Sequence, residues 1–138
     1  MKQLGRSNEP HGRREFLSAK ILLVQEDPDW RNRLGLMLRN NGHQVVTAVN
    51  GLDALQAAEN QEVDLILLDF KLSYMKGEEV LSLLRGYFQN KDIPILALSK
   101  TDNEDHNQQY LDAGADEWVK LSTTPKNLLE KIQRFLSI

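Results

Sequence analysis

From Lys20 onward, short uninterrupted apolar runs alternate with longer segments in which apolar residues recur every three or four positions. The runs are Ile21–Val24, Val45–Val46, Leu65–Leu68, Ile95–Leu98 and, shortest, Trp118–Val119. Such runs, bounded by polar residues, are the pattern of strands buried on both faces. The segments between them have helical spacing. Trp30, Leu34, Met37 and Leu38 share one face, and Gly42 after Asn41 is a stop. Leu52, Leu55 and Ala58 form a second stripe, with Asn50 placed to cap it. Val80, Leu81, Leu84, Tyr87 and Phe88 form a third. The last stripe is Leu128, Leu129, Ile132, Phe135 and Leu136, opened by Thr124-Pro125, a cap followed by a first-turn proline. The fourth helix is the weak one. From Thr101 to Gln109 there is no apolar residue, which leaves Tyr110, Leu111 and Ala113 to anchor it. A helix with so little to bury is expected to be mobile.

Strands and helices in strict alternation predict an α/β fold: (βα)₅, a doubly wound parallel five-stranded sheet. Right-handed crossovers place helices on both faces. Residues 1–18 stand apart, with Gly5, Pro10, Gly12 and scattered Lys2, Arg6, Arg13 and Arg14 but little periodicity. They read as a flexible basic N-terminal arm, with room for a short helix around Arg13–Leu17. Residues 19–138 read as the folded domain.

Composition narrows the field. A chain of 138 residues can bury a core unaided. With no cysteine it has no disulfide, thiolate metal site or Cys nucleophile. No apolar run approaches the roughly 18–20 residues that span a bilayer, and the N-terminal stretch lacks the apolar centre of a secretory signal. A net charge of −3 argues against nucleic acid as the main partner. The expectation is a cytoplasmic protein without membrane insertion.

In an open parallel sheet, ligands bind beyond the carboxyl ends of the strands, where strand order reverses. The first strand ends in Gln25-Glu26-Asp27, the third at Asp69 and the fourth in Ser99-Lys100. Carboxylates gathered there repel one another unless a cation joins them, and Mg²⁺ is the natural hard ion. A carboxylate with a hydroxyl neighbour could also accept a phosphoryl group. Asp27, ahead of Pro28, reads as a helix cap. Asp69 ends an apolar strand and leads into a loop, so it reads as functional. His11, His43 and His106 are scattered and form no metal-ligand spacing.

From Lys20 to its end the chain resembles the receiver domain of response regulators. The segments that carry the likeness are ILLVQEDPDW (Ile21–Trp30), DLILLDFKLSYMKG (Asp64–Gly77), IPILALSK (Ile93–Lys100) and AGADEWVK (Ala113–Lys120). The resemblance implies the flavodoxin-like strand order 2-1-3-4-5 and a role in two-component signalling. Asp69 matches the phosphoacceptor, Glu26 a direct metal ligand, and Lys71 the position whose backbone carbonyl completes the Mg²⁺ site. Ser99 matches the switch hydroxyl and Trp118 the switch aromatic. The implied partners are a histidine kinase or phosphotransfer protein and a downstream protein, read through the face of the fourth helix, fifth strand and fifth helix. Homodimerisation is left open.

The chain departs from the family pattern at several positions. Gln25 replaces the first acid of the metal-binding pair. Leu121 stands where the family has its active-site lysine, and Ser122 where it has a proline. Lys100 follows Ser99 where a small residue is usual. One carboxylate fewer weakens the hold on Mg²⁺, and the missing lysine removes a cation from the phosphoryl site. Lys100 and Lys71 are the candidate replacements, since either flexible stem could reach the pocket. Lys120 points to the face opposite Leu121 and cannot take its place. Two functions follow: a single-domain regulator phosphorylated on Asp69, or a degenerate receiver that docks partners without phosphorylation. A flavin protein or phosphatase is disfavoured. The first turn lacks a glycine- and hydroxyl-rich phosphate loop, and Asp69 has no second acid two residues on. The chain is not expected to be an enzyme.

Overall fold

The strand-and-helix alternation of the sequence is realised in full in a computed structural model of the protein, which describes residues 5–6, 16–86 and 92–137. Strands β1 (Lys20–Val24), β2 (Gln44–Ala48), β3 (Leu65–Asp69), β4 (Ile95–Ser99) and β5 (Glu117–Lys120) form one parallel sheet in the order 2-1-3-4-5. Helices α1 (Pro28–Asn40), α2 (Gly51–Asn60), α3 (Gly77–Gly86), α4 (Glu104–Asp112) and α5 (Pro125–Leu136) connect and follow them.

Alternation along each strand sends side chains to two separate cores. Ile21, Leu23, Leu65, Leu67, Leu96 and Leu98 meet Leu34 and Leu38 of α1 and Leu128, Ile132 and Leu136 of α5. Leu22, Val24, Ile66, Leu68, Ile95 and Ala97 meet α2, α3 and Tyr110 of α4 on the other face. Val24 aligns with Leu68, and Asp69 with Leu98, so the polar residues that follow β1 and end β3 and β4 come to one edge.

The helices begin where capping chemistry places them. Asp27, Asn50, Asn103 and Thr124 each accept a backbone N–H of the first turn. Asp27 is therefore the cap its sequence context indicates. Gly42, just past α1, has φ 89°, a conformation that glycine tolerates at no steric cost. Gly77 opens α3 hard against β3's continuation: a Cβ there would lie 2.5 Å from Phe70 Cα.

The structure corrects three readings of the sequence. Leu52 is 61% exposed, because the inner face of α2 is Gly51, Ala54, Leu55 and Ala58. Gly51, packed against Val80 and Met75, sets that face and turns the neighbouring Leu52 outward. The Thr101–Gln109 stretch does bury something: Asn107 is fully enclosed, so a polar side chain helps to anchor α4. Leu17 is in a strand and not a helix, paired through Leu17–Ser18 with Gly5–Arg6. Its N–H and C=O also bond to the Gln133 side chain of α5, at 2.9 and 2.8 Å, which holds it extended. Tyr87, Phe88 and residues 7–15 lie outside the described residues.

Candidate phosphoryl-acceptor site

Asp69 ends β3 with 2% of its surface exposed. The Lys71 N–H donates to its Oδ1 at 2.9 Å, an Asx-type turn that holds the carboxylate as the chain leaves the sheet. Burial raises the Asp69 pKa above the ordinary carboxylate value. The Lys71 N–H, the Lys100 charge and the Gln25 amide pull the other way, and the Glu26 charge adds to the rise. Both lysine side chains are exposed; the Lys100 charge acts on Asp69 from there, and Lys71 contributes its backbone N–H.

Gln25 is fully buried beside Asp69. Its Oε1 accepts the Asp27 N–H at 3.0 Å, which fixes the amide and leaves Nε2 as the free end. That N–H₂ acts on Asp69 electrostatically, yet it closes no hydrogen bond of good geometry among the described residues. Glu26 is half-buried, and its two carboxylate oxygens accept from Ser73 Oγ (2.9 Å) and Ser73 N (3.1 Å). Arg31 Nη1 donates to the carbonyls of Gln25 and Glu26, each at 3.1 Å, and clamps the turn after β1. Ser73 and Arg31 were not marked by the sequence. The first sits 47 residues from Glu26, and the second lies one helical turn beyond the Asp27 cap.

Ser99 is 2% exposed and does not stand free. Its Oγ lies 2.6 Å from Asn107 Oδ1 and 2.9 Å from the Thr101 carbonyl. Tyr110, one turn after Asn107, rests on Phe70 at a ring separation of 4.1 Å. Its hydroxyl meets His106 Nε2 at 2.9 Å. Burial holds the Tyr110 pKa above its ordinary value, against the pull of the nearby Ser99 hydroxyl, with Asp69 and Glu78 adding to the rise. Trp118 is half-buried on β5, opposite Ala97, and packs against the same core as Tyr110. Leu121 is 5% exposed within the α1–α5 core, an apolar side chain that brings no cation to the site. Lys120 turns instead to Asp102, 3.4 Å away.

A divalent ion would find a thin donor set. Among the described residues, no group of three or more His, Cys, Asp or Glu side chains gathers as an ion would require. Asp69 and Glu26 supply carboxylates, but both Glu26 oxygens already serve Ser73, and the fixed Gln25 amide presents a donor where an acceptor would help. The set fits a weakly held ion.

A receiver-domain family model, described as response regulator receiver domain, matches residues 21–133. The chain belongs to that family. Receiver domains are the signalling modules of two-component response regulators. The transcriptional regulatory protein KdpE of Mycobacterium tuberculosis is 36% identical over 99 residues, covering 72% of this chain and 42% of its own length. The alkaline phosphatase synthesis regulator PhoP of Bacillus subtilis is 32% identical over 120 residues, covering 87% and 49%. The chain thus spans about half the length of the curated relatives it matches. Among solved structures, the receiver domain of sensor histidine kinase PA1611 from Pseudomonas aeruginosa superimposes with a TM-score of 0.82 at 26% identity, covering 88% of this chain and 99% of that one. That receiver carries a magnesium ion in its active-site cleft. Chemotaxis response regulator CheY4 of Vibrio cholerae gives 0.82 at 31% identity, covering 86% and 99%.

Proposed function

We propose that this receiver domain accepts a phosphoryl group on Asp69 from a histidine kinase or phosphotransfer protein and passes the signal on by protein contact. The observation that carries this reading is Asp69 itself. It is a strand-end carboxylate whose Oδ1 is held by the Lys71 N–H, which leaves Oδ2 as the nucleophile. In the transfer, Oδ2 forms a bond to phosphorus, the phosphorus–nitrogen bond of the donor phosphohistidine breaks, and the imidazole nitrogen leaves with the electron pair. Glu26, Asp69 and the Lys71 carbonyl would hold Mg²⁺, which offsets charge on the phosphoryl oxygens. Lys100 supplies a further positive charge. The downstream protein reads the face formed by α4, β5 and α5.

A second reading is a receiver that docks partners without phosphorylation. Leu121, buried in the core where the family has its lysine, favours it. Intact-mass measurement after incubation with acetyl phosphate and Mg²⁺ separates the two. The first reading requires one phosphoryl adduct, lost in Asp69→Asn. No adduct at high donor and metal leaves the docking reading.

A further inference from the structure

Asn107 lies in the middle of a helical segment without an apolar residue, yet its side chain is completely buried. Its amide orientation is fixed by its neighbours. The Thr101 carbonyl, which can only accept, lies 2.8 Å from Asn107 Nδ2, so Oδ1 faces Ser99 Oγ at 2.6 Å. A hydroxyl has a single proton to give. The Thr101 carbonyl at 2.9 Å already accepts from Asn107, and the Thr101 N–H donates to Ser99 Oγ at 3.2 Å. A carbonyl oxygen can accept twice. Two oxygens 2.6 Å apart, however, need a proton between them, and Asn107 Oδ1 carries none, so the Ser99 proton lies on the α4 side of the hydroxyl. Tyr110, on the same inner face of the helix, rests on Phe70, the residue after Asp69. Thus α4 is tied both to the strand end that bears the acceptor and to the hydroxyl beside it.

We infer that Asn107 is a positioning residue for Ser99: it holds the hydroxyl away from Asp69 and makes its release conditional on movement of α4. A phosphoryl oxygen on Asp69 that drew the Ser99 proton would strip Asn107 Oδ1 of its donor inside the core. A buried acceptor without a partner is costly, so the helix has to shift until Oδ1 finds water or another donor. The same bond that resists switching makes the switch two-state. The Ser99–Asn107 contact is independent of phosphorylation, and its effect on Asp69 rests on the function proposed above.

Amide exchange and intact mass, on the full chain, test the two halves separately. Asn107→Leu keeps the volume and removes both the acceptor for Ser99 and the donor to Thr101. Ser99→Ala removes the same bond from the other end and serves if the first variant fails to fold. Each single variant should speed exchange across Thr101–Gln109 about tenfold and leave the β3 amides unchanged. Because both remove the shared Ser99–Asn107 bond, the double variant should exchange more slowly than the product of the two single effects. Unchanged exchange in the singles, or additive effects in the double, overturns the inference. With acetyl phosphate as donor, Asn107→Leu should reach half-maximal adduct at about one-tenth of the wild-type concentration. Equal uptake by both proteins overturns the link to Asp69. If neither protein takes up phosphoryl while the exchange pattern holds, the phosphorylation reading fails and the positioning role stands.

Discussion

Gln25 and Asp69 face one another at the carboxyl edge of β1 and β3, both buried, a neutral amide against a carboxylate. The amide cannot turn to offer its oxygen, because Oε1 holds the Asp27 N–H. This pair sets the charge of the site. It leaves Asp69 with one acidic neighbour in Glu26 and lowers the repulsion that a divalent cation would relieve.

Asp69 should therefore cost stability when ionised. Burial raises its folded-state pKa above the unfolded value of 3.8, so the folded protein binds more protons there than the unfolded one. Stability from this group is fully present below pH 3.8 and is lost as pH rises through the folded pKa. Asp69→Asn removes the charge and keeps an oxygen for the Lys71 N–H. The variant should melt about 2–5 °C higher than wild type at pH 7, a shift of the size that ~1 kcal/mol produces in a domain this large. The gap should narrow towards pH 4. Thermal melts across that range check it, and a variant less stable at pH 7 contradicts it.

Metal binding should be weak and improvable at one position. With Asp69 and a Ser73-bound Glu26 as the acidic ligands, Mg²⁺ affinity should be no better than the millimolar range, near −4 kcal/mol. Gln25→Asp restores a carboxylate and should tighten binding by about tenfold, or ~1.4 kcal/mol. Titration followed by amide chemical shifts reads both. Micromolar binding by the unaltered protein would sink the idea.

The fold was legible because both determinants are local. Buried parallel strands leave uninterrupted apolar runs, and caps such as Asn50 and Thr124 act on the N–H three residues on. The positions of Asp69, Glu26 and Ser99 followed from the strand ends. What was hidden depended on neighbours distant in sequence. Leu52 looked like core because hydropathy alone cannot register Gly51, whose missing side chain lets Val80 and Met75 close in. Asn107 looked like surface because a polar residue in a polar helix ordinarily is. Its spacing of three from Tyr110 was the one signal that the two share an inner face. Ser73 reaches Glu26 through a loop whose path no local pattern specifies.

His43 predicts a separate pH dependence, on the acid side. It is 4% exposed, and its Nδ1 accepts the Ala19 N–H at 3.1 Å, so the ring must be neutral with the proton on Nε2. Burial lowers its pKa below 6.5, and a donor on Nδ1 favours the same neutral ring. The unfolded chain then binds more protons, so the stability contributed is present above pH 6.5 and lost as pH falls through the folded pKa. His43→Asn keeps an acceptor near Nδ1 and cannot titrate. The melting temperature of wild type should fall relative to this variant between pH 7.5 and 5.5. Parallel curves would show that His43 is protonated at no cost.

The proposed readout face gives the last prediction. Trp118 lies on the same side of the sheet as Ser99, because Ala97 pairs with Trp118 and Ser99 with Lys120. It is half-buried, so its indole borders both the core and the surface between α4 and α5. Tyr110 already fills core beside Phe70, and Asn107 holds Ser99 toward α4. In the unphosphorylated protein Trp118 therefore has little room to move inward. A phosphoryl group that draws Ser99 away loosens α4, and the indole can then follow into the core. Replacing Trp30 with Phe leaves Trp118 as the sole indole. In that background, beryllofluoride with Mg²⁺ should shift the emission to shorter wavelength as the ring loses water. Asp69→Asn should abolish the shift, and Asn107→Leu should bring it on at lower beryllofluoride. An unchanged spectrum in a protein that mass spectrometry shows to be phosphorylated on Asp69 would mean that the signal leaves by another face.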